Sequence, residues 1–210
     1  MKTVCYIDGF NFYYGSVKGT PHRWLDFSKL FTALLPNNYQ IDRIKFFTAR
    51  VSGSTKRARQ AIYWRALNTI PDCEIILGNF TSHVTTMKLA YPRPSQNPFV
   101  QTIKIEEKGS DVNLATHLLV DGYGGKYDAA VVVTNDSDLK NPMAVVKDDL
   151  QKEMWILYPT GQADARRTLH PALKRVTTHQ RPIRSGLVGA SQFPAAISDS
   201  KGSFSKPSSW

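Results

Sequence analysis

Hydrophobic positions fall into short continuous runs, separated by stretches with helical spacing. The first run, Thr3 to Ile7, stops abruptly at Asp8-Gly9. Similar runs cover Ile44 to Ala49, Glu74 to Leu77, Ala129 to Thr134 and Met154 to Tyr158. Continuous apolar runs of this length suit strands covered on both faces of a parallel sheet. Between them the spacing predicts helices near Asn11 to Ser16, from Phe27 to the stop at Pro36, and from about Lys56 to Thr69. Two more are predicted from about Asp111 to Val120 and from about Pro142 to Gln151. The Lys56 helix is expected to turn Ala58, Ile62, Leu67 and Ile70 inward and its arginines outward. The Asp111 helix is expected to bury Val112, Ala115, Leu118 and Leu119, with Ser110 as its N-cap.

The rhythm breaks between Asn79 and Lys108. Two strand-like pieces, Phe80 to Met87 and Val100 to Glu106, flank Pro92, Pro94 and Pro98. The alternation in "VQTIKIEE" predicts one arm of a β-hairpin with a long tip, an insertion projecting from the domain. The whole pattern predicts an α/β fold: a doubly wound, mainly parallel sheet of five or six strands with helices on both faces. Residues 1–160 form the expected domain, with 79–108 as the insertion. Residues 161–210 are expected to add one helix, roughly Ala163 to Arg175, and an extended tail. Phe193, Ile197 and Trp210 give that tail apolar anchors for packing on the body.

Composition fits a packed core, with 41% hydrophobic and 11% aromatic residues in a chain of 210. Cys5 and Cys73 lie in strand-like runs, which predicts reduced core residues and a reducing compartment; one disulfide between them stays open. The apolar start is broken by Asp8 after a few residues, unlike a secretory leader. No stretch approaches the roughly 18 apolar residues of a membrane helix. The expected location is cytoplasmic.

The net charge is +10, from 27 basic and 17 acidic residues. Seven basic residues and no acid lie between Arg43 and Arg65. Such a surface attracts polyanions, of which nucleic acid is the commonest in a cytoplasm. The alternative is a basic surface that only keeps the chain soluble.

Against this background the acids stand out. Asp8 follows the first strand; Asp136 and Asp138 follow the strand at Ala129. In an open α/β sheet, ligands bind beyond the carboxyl ends of the strands. If these two strands are neighbours, as the doubly wound order requires, the three acids converge, and Asp111 at its helix start is within reach. Each acid alone also reads as a turn former or helix cap. Together they repel: two carboxylates about 4 Å apart cost roughly 4 kcal/mol at an effective dielectric near 20. Protons or a cation must compensate. Oxygen ligands alone suit Mg²⁺ or Mn²⁺ rather than zinc, and the five histidines show no metal spacing.

"YIDGFNFYYG", "EEKGSDVNLATHLLVD" and "VVVTNDSDL" occur in the order and after the elements that resemble the NYN domain family, in the PIN-like superfamily of metal-dependent nucleases. The resemblance spans roughly residues 2 to 160. It implies cleavage of RNA phosphodiesters with Mg²⁺ or Mn²⁺. On matching positions it implies metal ligation by Asp8, Asp111, Asp136 and Asp138, with Asn11 as a further catalytic residue. Thr134 and Asn135 stand where that family often has Ser-Gly. Threonine keeps a hydroxyl, whereas Asn135 narrows the backbone approach to a phosphate.

The leading expectation is therefore a metal-dependent ribonuclease acting on single-stranded or loop RNA. Thr134 is expected to support the acids, and Lys56, Arg57, Arg59 and Lys108 to contact the RNA backbone. The arginines read equally well as a solvated helix face. The alternative from another class is a non-catalytic RNA-binding or scaffold protein on the same fold. A haloacid-dehalogenase-like phosphotransferase needs Asp-x-Asp after the first strand, where Phe10 stands instead. RNA against DNA, and a homo-oligomer against a monomer, stay open.

Overall fold

The computed structural model describes residues 1–161 and 168–210. Its centre is a seven-stranded sheet in the order β4-β3-β2-β1-β5-β6-β7. The strands are β1 (Lys2–Asp8), β2 (Gln40–Ala49), β3 (Cys73–Lys88), β4 (Phe99–Lys108), β5 (Ala129–Val133), β6 (Glu153–Pro159) and β7 (His179–Ile183). A separate two-stranded ribbon joins β8 (Ala196–Asp199) to β9 (Gly202–Ser205). Six strands of the large sheet run parallel; only β4 is antiparallel, to β3. The chain winds outward from β1 to β2 and β3, then returns to β1's other side for β5 and β6. That reversal puts a topological switch point between β1 and β5, where Ile7 pairs with Val133. It is the place where ligands bind in this architecture.

The helices are α1 (Gly9–Phe12), α2 (Phe27–Leu34), α3 (Ser54–Leu67), α4 (Ser110–Tyr123), α5 (Lys140–Ala144), α6 (Pro171–Arg175) and α7 (Ser185–Ala190). Two cores lie on opposite faces of the sheet. One gathers Cys5, Ile7, Ile44 and Phe46 against Phe27, Leu30, Leu67 and Val188 of α2, α3 and α7. The other gathers Val4, Tyr6, Val132 and Ile156 against Leu114, Leu118, Met143 and Leu173 of α4, α5 and α6. Strict alternation along β1 explains this: the strand is covered on both sides, so both sets of side chains are apolar. Among the described residues no helix is long and apolar enough to cross a membrane.

Several elements depart from the sequence pattern. Strand β3 does not stop at Leu77 but runs unbroken into the hairpin's first arm. Ser110 is not the cap of α4; Gly109 is, at φ 101°, a left-handed conformation suited to glycine. Val112 is exposed while Leu114 and Leu118 are buried, because α4 lies across β1, β2 and β3 with its 114/118 stripe down. Ala58 is exposed as well; α3 buries chiefly its last turn, Ala66 and Leu67.

The tail adds more than a helix. β7 extends the sheet beside β6, pairing Tyr158 with Pro182. A proline is tolerated there because β7 is an edge strand. Of the helix expected from Ala163 to Arg175, residues 163–167 lie outside the described residues, 168–170 are not helical, and the end is the short α6. Beyond it, Phe193, Phe204 and Trp210 surround Trp24 with ring centroids 5.8, 6.3 and 6.3 Å away. Arg65 clamps this wrap, donating two hydrogen bonds to the Asp199 carboxylate at 2.7 and 2.6 Å. Cys5 and Cys73 are both free thiols.

Candidate functional site

Strand β1 ends by turning directly into α1. Gly9 at this corner is forced by space: a Cβ there would lie 2.6 Å from the Phe47 carbonyl oxygen and 2.9 Å from the Phe46 ring. The tight corner leaves Asp8 as the cap of α1. Its Oδ1 accepts a hydrogen bond from Asn11 N at 2.9 Å, and its Oδ2 accepts one from Thr134 Oγ1, also at 2.9 Å. Thr134, fully buried just past β5, uses the same hydroxyl oxygen to accept from Asp136 N at 3.1 Å. The two strand ends are thus tied together through one hydroxyl.

A second set of bonds crosses the same seam. Asn135 N donates to Asn11 Oδ1 at 3.0 Å. The Asn135 side chain reaches the other way, donating to Thr168 O at 3.2 Å and accepting from His170 N at 2.8 Å. Asp136 Oδ1 accepts from Asp138 N at 3.0 Å, which starts a short 3₁₀ turn over Ser137–Leu139.

These groups border a cavity of about 640 Å³, lined by Asp8, Asn11, Asn135 and Asp136, by Asp111 from α4 and by Glu107 from the end of β4. Phe10, Tyr14, Phe80 and Pro159 form its apolar rim. Asp8 is 4% exposed, and burial pushes its carboxyl up to about 6, helped by the nearby Asp111 and Asp136 charges against the two hydrogen bonds it accepts. The Asp111 carboxyl is also raised, by desolvation first and then by Asp136, Glu107 and Asp138. Mutual repulsion in a shared cleft is therefore a property of this structure.

The predicted residues divide accordingly. Asp8, Asn11, Asp111 and Asp136 come together around the cavity, with Thr134 directly behind Asp8. Asp138 stands at the margin, exposed, its backbone N–H capped by Asp136. None of the four basic candidates lines the cavity. Lys56 and Arg57 are exposed on the first turn of α3, and Lys108 is exposed at the end of β4. Arg59 is engaged elsewhere: its Nη1 donates to Ser209 Oγ at 3.0 Å, holding the tail.

Sequence reasoning missed Glu107 and the structural use of Asn135. Glu107 Oε1 accepts from both Ser110 N at 3.2 Å and Ser110 Oγ at 2.7 Å, closing the first turn of α4 beside Asp111. The signal was present in "EEKGSD", where an acid precedes a serine by three residues; the long-range partner of Asn135 left no local signal.

The donor chemistry of this cleft is oxygen only, which fits Mg²⁺ or Mn²⁺. Among the described residues, no three His, Cys, Asp or Glu side chains are placed closely enough to hold a metal ion as they stand. The fit rests on the donors themselves: Asp8, Asp111 and Asp136 bring carboxylates to one cavity, where a divalent cation would offset their charge.

Comparison with known proteins places the arrangement. The chain is 34% identical, over its whole length and 75% of the other protein, to 6-hydroxy-3-succinoylpyridine 3-monooxygenase HspA from Pseudomonas putida. Its fold matches the crystal structure of a protein of unknown function, VPA0982, from Vibrio parahaemolyticus, at a TM-score of 0.57 and 14% identity, covering 87% of this chain and 93% of that one. The NYN domain profile matches residues 2–179, taking in β1 with Asp8, α4 with Asp111, β5 with the acid pair, and the first residue of β7. With its acids at the switch point of a doubly wound sheet, the chain belongs to the NYN domain family.

Proposed function

We propose that this protein is a metal-dependent ribonuclease that hydrolyses phosphodiester bonds of single-stranded or loop RNA. The observation that carries the reading is the buried Asp8, held at the switch point with Asp111 and Asp136 facing the same cavity. Acids concentrated in one cleft of a protein of net charge +10 support a cation as their partner, and the surrounding positive field favours a polyanionic substrate. Asp8, Asp111 and Asp136 would hold Mg²⁺ or Mn²⁺, with Asp138 and Glu107 at the margin. A bound divalent cation supplies charge stabilisation for the phosphate and acidifies water. Thr134 fixes the orientation of Asp8 through its hydroxyl. Asn11 lines the cavity and has its Oδ1 committed to Asn135 N, so its amide Nδ2 would be the atom that donates to a substrate oxygen. Lys56, Arg57 and Lys108 would act as remote contacts to the RNA backbone, making affinity fall with salt.

The test is cleavage of end-labelled RNA by the purified chain with Mg²⁺ or Mn²⁺, with EDTA, and with Asp136→Asn. Cleavage that needs the metal and drops at least a hundredfold in the variant supports the reading. Equal cleavage by both proteins overturns it. Binding that survives EDTA with no cleavage under either metal identifies a non-catalytic RNA-binding protein instead.

The name of the 34% identical relative favours a second reading, oxygenation of a small aromatic heterocycle. A cavity of about 640 Å³ with Phe10, Tyr14 and Phe80 on its rim suits such a ring in size. Dioxygen uptake with 6-hydroxy-3-succinoylpyridine and a two-electron donor tests it. Uptake coupled to a hydroxylated product, with no RNA cleavage, would replace the nuclease reading.

A further inference from the structure

The hairpin of β3 and β4 is a free-standing ribbon with two unlike faces. Register places Phe80 opposite Glu107, Val84 opposite Ile103 and Lys88 opposite Phe99, so these residues share one face with Ile105. On that face Phe80, Val84, Phe99, Ile103 and Ile105 are 40, 64, 53, 72 and 61% exposed. The other face is mainly polar, apart from Met87 and Val100 near the tip; Lys104 and Glu106 form an ion pair on it at 2.7 Å. Two-stranded ribbons are at best marginally stable alone, and a third layer on the apolar face is what stabilises them. Nothing in the described residues covers this one beyond its base, where Phe80 packs edge-on to Phe10 at 5.8 Å.

We propose that this face is the interface of a homodimer, in which the hairpins of two copies pack face to face about a two-fold axis. The proposal does not depend on the reaction the cleft performs. Three observations select a second copy as the occupant. The five side chains present a patch of roughly 500 Å², the apolar share of a standard interface of about 800 Å² per partner. The face holds one cation, Lys88 by the tip, and one acid, Glu107 at the base. These lie eight residues apart, about 27 Å along the ribbon. A two-fold axis at the Val84–Ile103 pair therefore sets Lys88 over the partner's Glu107, and the reverse, as an isologous contact requires. Last, the face is locally neutral in a chain of net charge +10, so it is a place where two copies meet without repulsion. It offers too little positive charge to hold nucleic acid. Glu107 and Phe80 also line the acid cavity, so each hairpin tip would wall the other copy's cleft.

Sedimentation velocity on the full chain tests this. The expected result is a mass twice the 23.6 kDa of one chain. Val84→Lys with Ile103→Lys should shift the protein to monomer while its circular dichroism spectrum stays unchanged. Lys88→Glu, at the exposed tip, should weaken the dimer at least tenfold, and Lys88→Arg, which keeps the charge, should leave it intact. A wild type that stays monomeric at high micromolar concentration overturns the proposal. So does a dimer that persists in Lys88→Glu and in the double lysine variant. Loss of RNA binding in those variants with no change in mass assigns the face to nucleic acid and likewise overturns it.

Discussion

Thr134 donates its hydroxyl proton to Asp8 across the junction of β1 and β5, at 2.9 Å, with both residues out of solvent. That bond favours the ionised carboxylate, while burial and the facing acids oppose it. The balance leaves Asp8 protonated more readily than an ordinary aspartate. Its folded value near 6, against 3.8, means that the folded state binds the proton more tightly than the unfolded chain. The stabilising effect of that proton is fully present below pH 3.8 and is lost as pH rises through 6. Asp8→Asn should therefore stabilise the protein at pH 7.5 by up to about 3 kcal/mol, at roughly 1.4 kcal/mol per unit. Urea unfolding at pH 7.5 and pH 4 checks it: the gain should shrink at the lower pH.

Thr134→Val keeps the shape and removes the donor. A buried carboxylate that loses such a bond should cost about 1–3 kcal/mol, and the Asp8 pKa should rise further. Thr134→Ser should retain most of the stability. Thermal melts of the two variants, side by side, separate the hydroxyl from the packing of the side chain.

On the other side of β1, Lys45 is buried and paired with Asp121 at 2.5 Å, with Tyr6 Oη donating to the same carboxylate at 2.8 Å. Burial acts to raise the Asp121 pKa, but Lys45, Tyr6 and Lys126 outweigh it and hold the carboxyl below its usual value. Lys45→Met should destabilise by roughly 3 kcal/mol, because it strips a buried charge of its closest counter-ion. Lys45→Met with Asp121→Leu should recover much of that loss. A double-mutant cycle by urea denaturation measures the coupling.

Asp199 is held down to about 2, chiefly by hydrogen bonds from Arg65. Its lowered value means that the contribution to tail docking is present above pH 3.8 and is lost as pH falls through 2. Trp210 packs beside Trp24 in that wrap. Tryptophan emission should therefore shift on acidification, and Asp199→Asn should show the shifted spectrum already at pH 7.

Mn²⁺ added to the wild type should raise the melting temperature by several degrees at concentrations well above its dissociation constant, and EDTA should reverse this. Asp111→Asn and Asp136→Asn should lose the shift. Differential scanning fluorimetry reads it without requiring turnover.

The apolar runs located β1, β2, β5 and β6, because burial on both faces of a parallel sheet erases polar positions. The same runs placed Asp8, Asp136 and Asp138 at strand ends. β7 escaped, since His179, Gln180 and Pro182 look unlike a buried strand, and only its edge position makes such residues acceptable. The inward face of α3 was misjudged at Ala58 because that helix buries its last turn and gives its arginines to the tail, as Arg65 does with Asp199.

The sequence by itself determined which segments form the layers and which acids stand at their ends, because local periodicity and punctuation record burial. The tertiary structure alone decided that β1 lies beside β5, so that Asp8, Asp111 and Asp136 face one cavity. It alone gave Asn135 its partners Asn11 and His170, and committed Arg59 to Ser209 rather than to the cleft. Those contacts join residues 35 to 150 positions apart. Their existence depends on how the strands are ordered, and no stretch of local sequence encodes that order on its own.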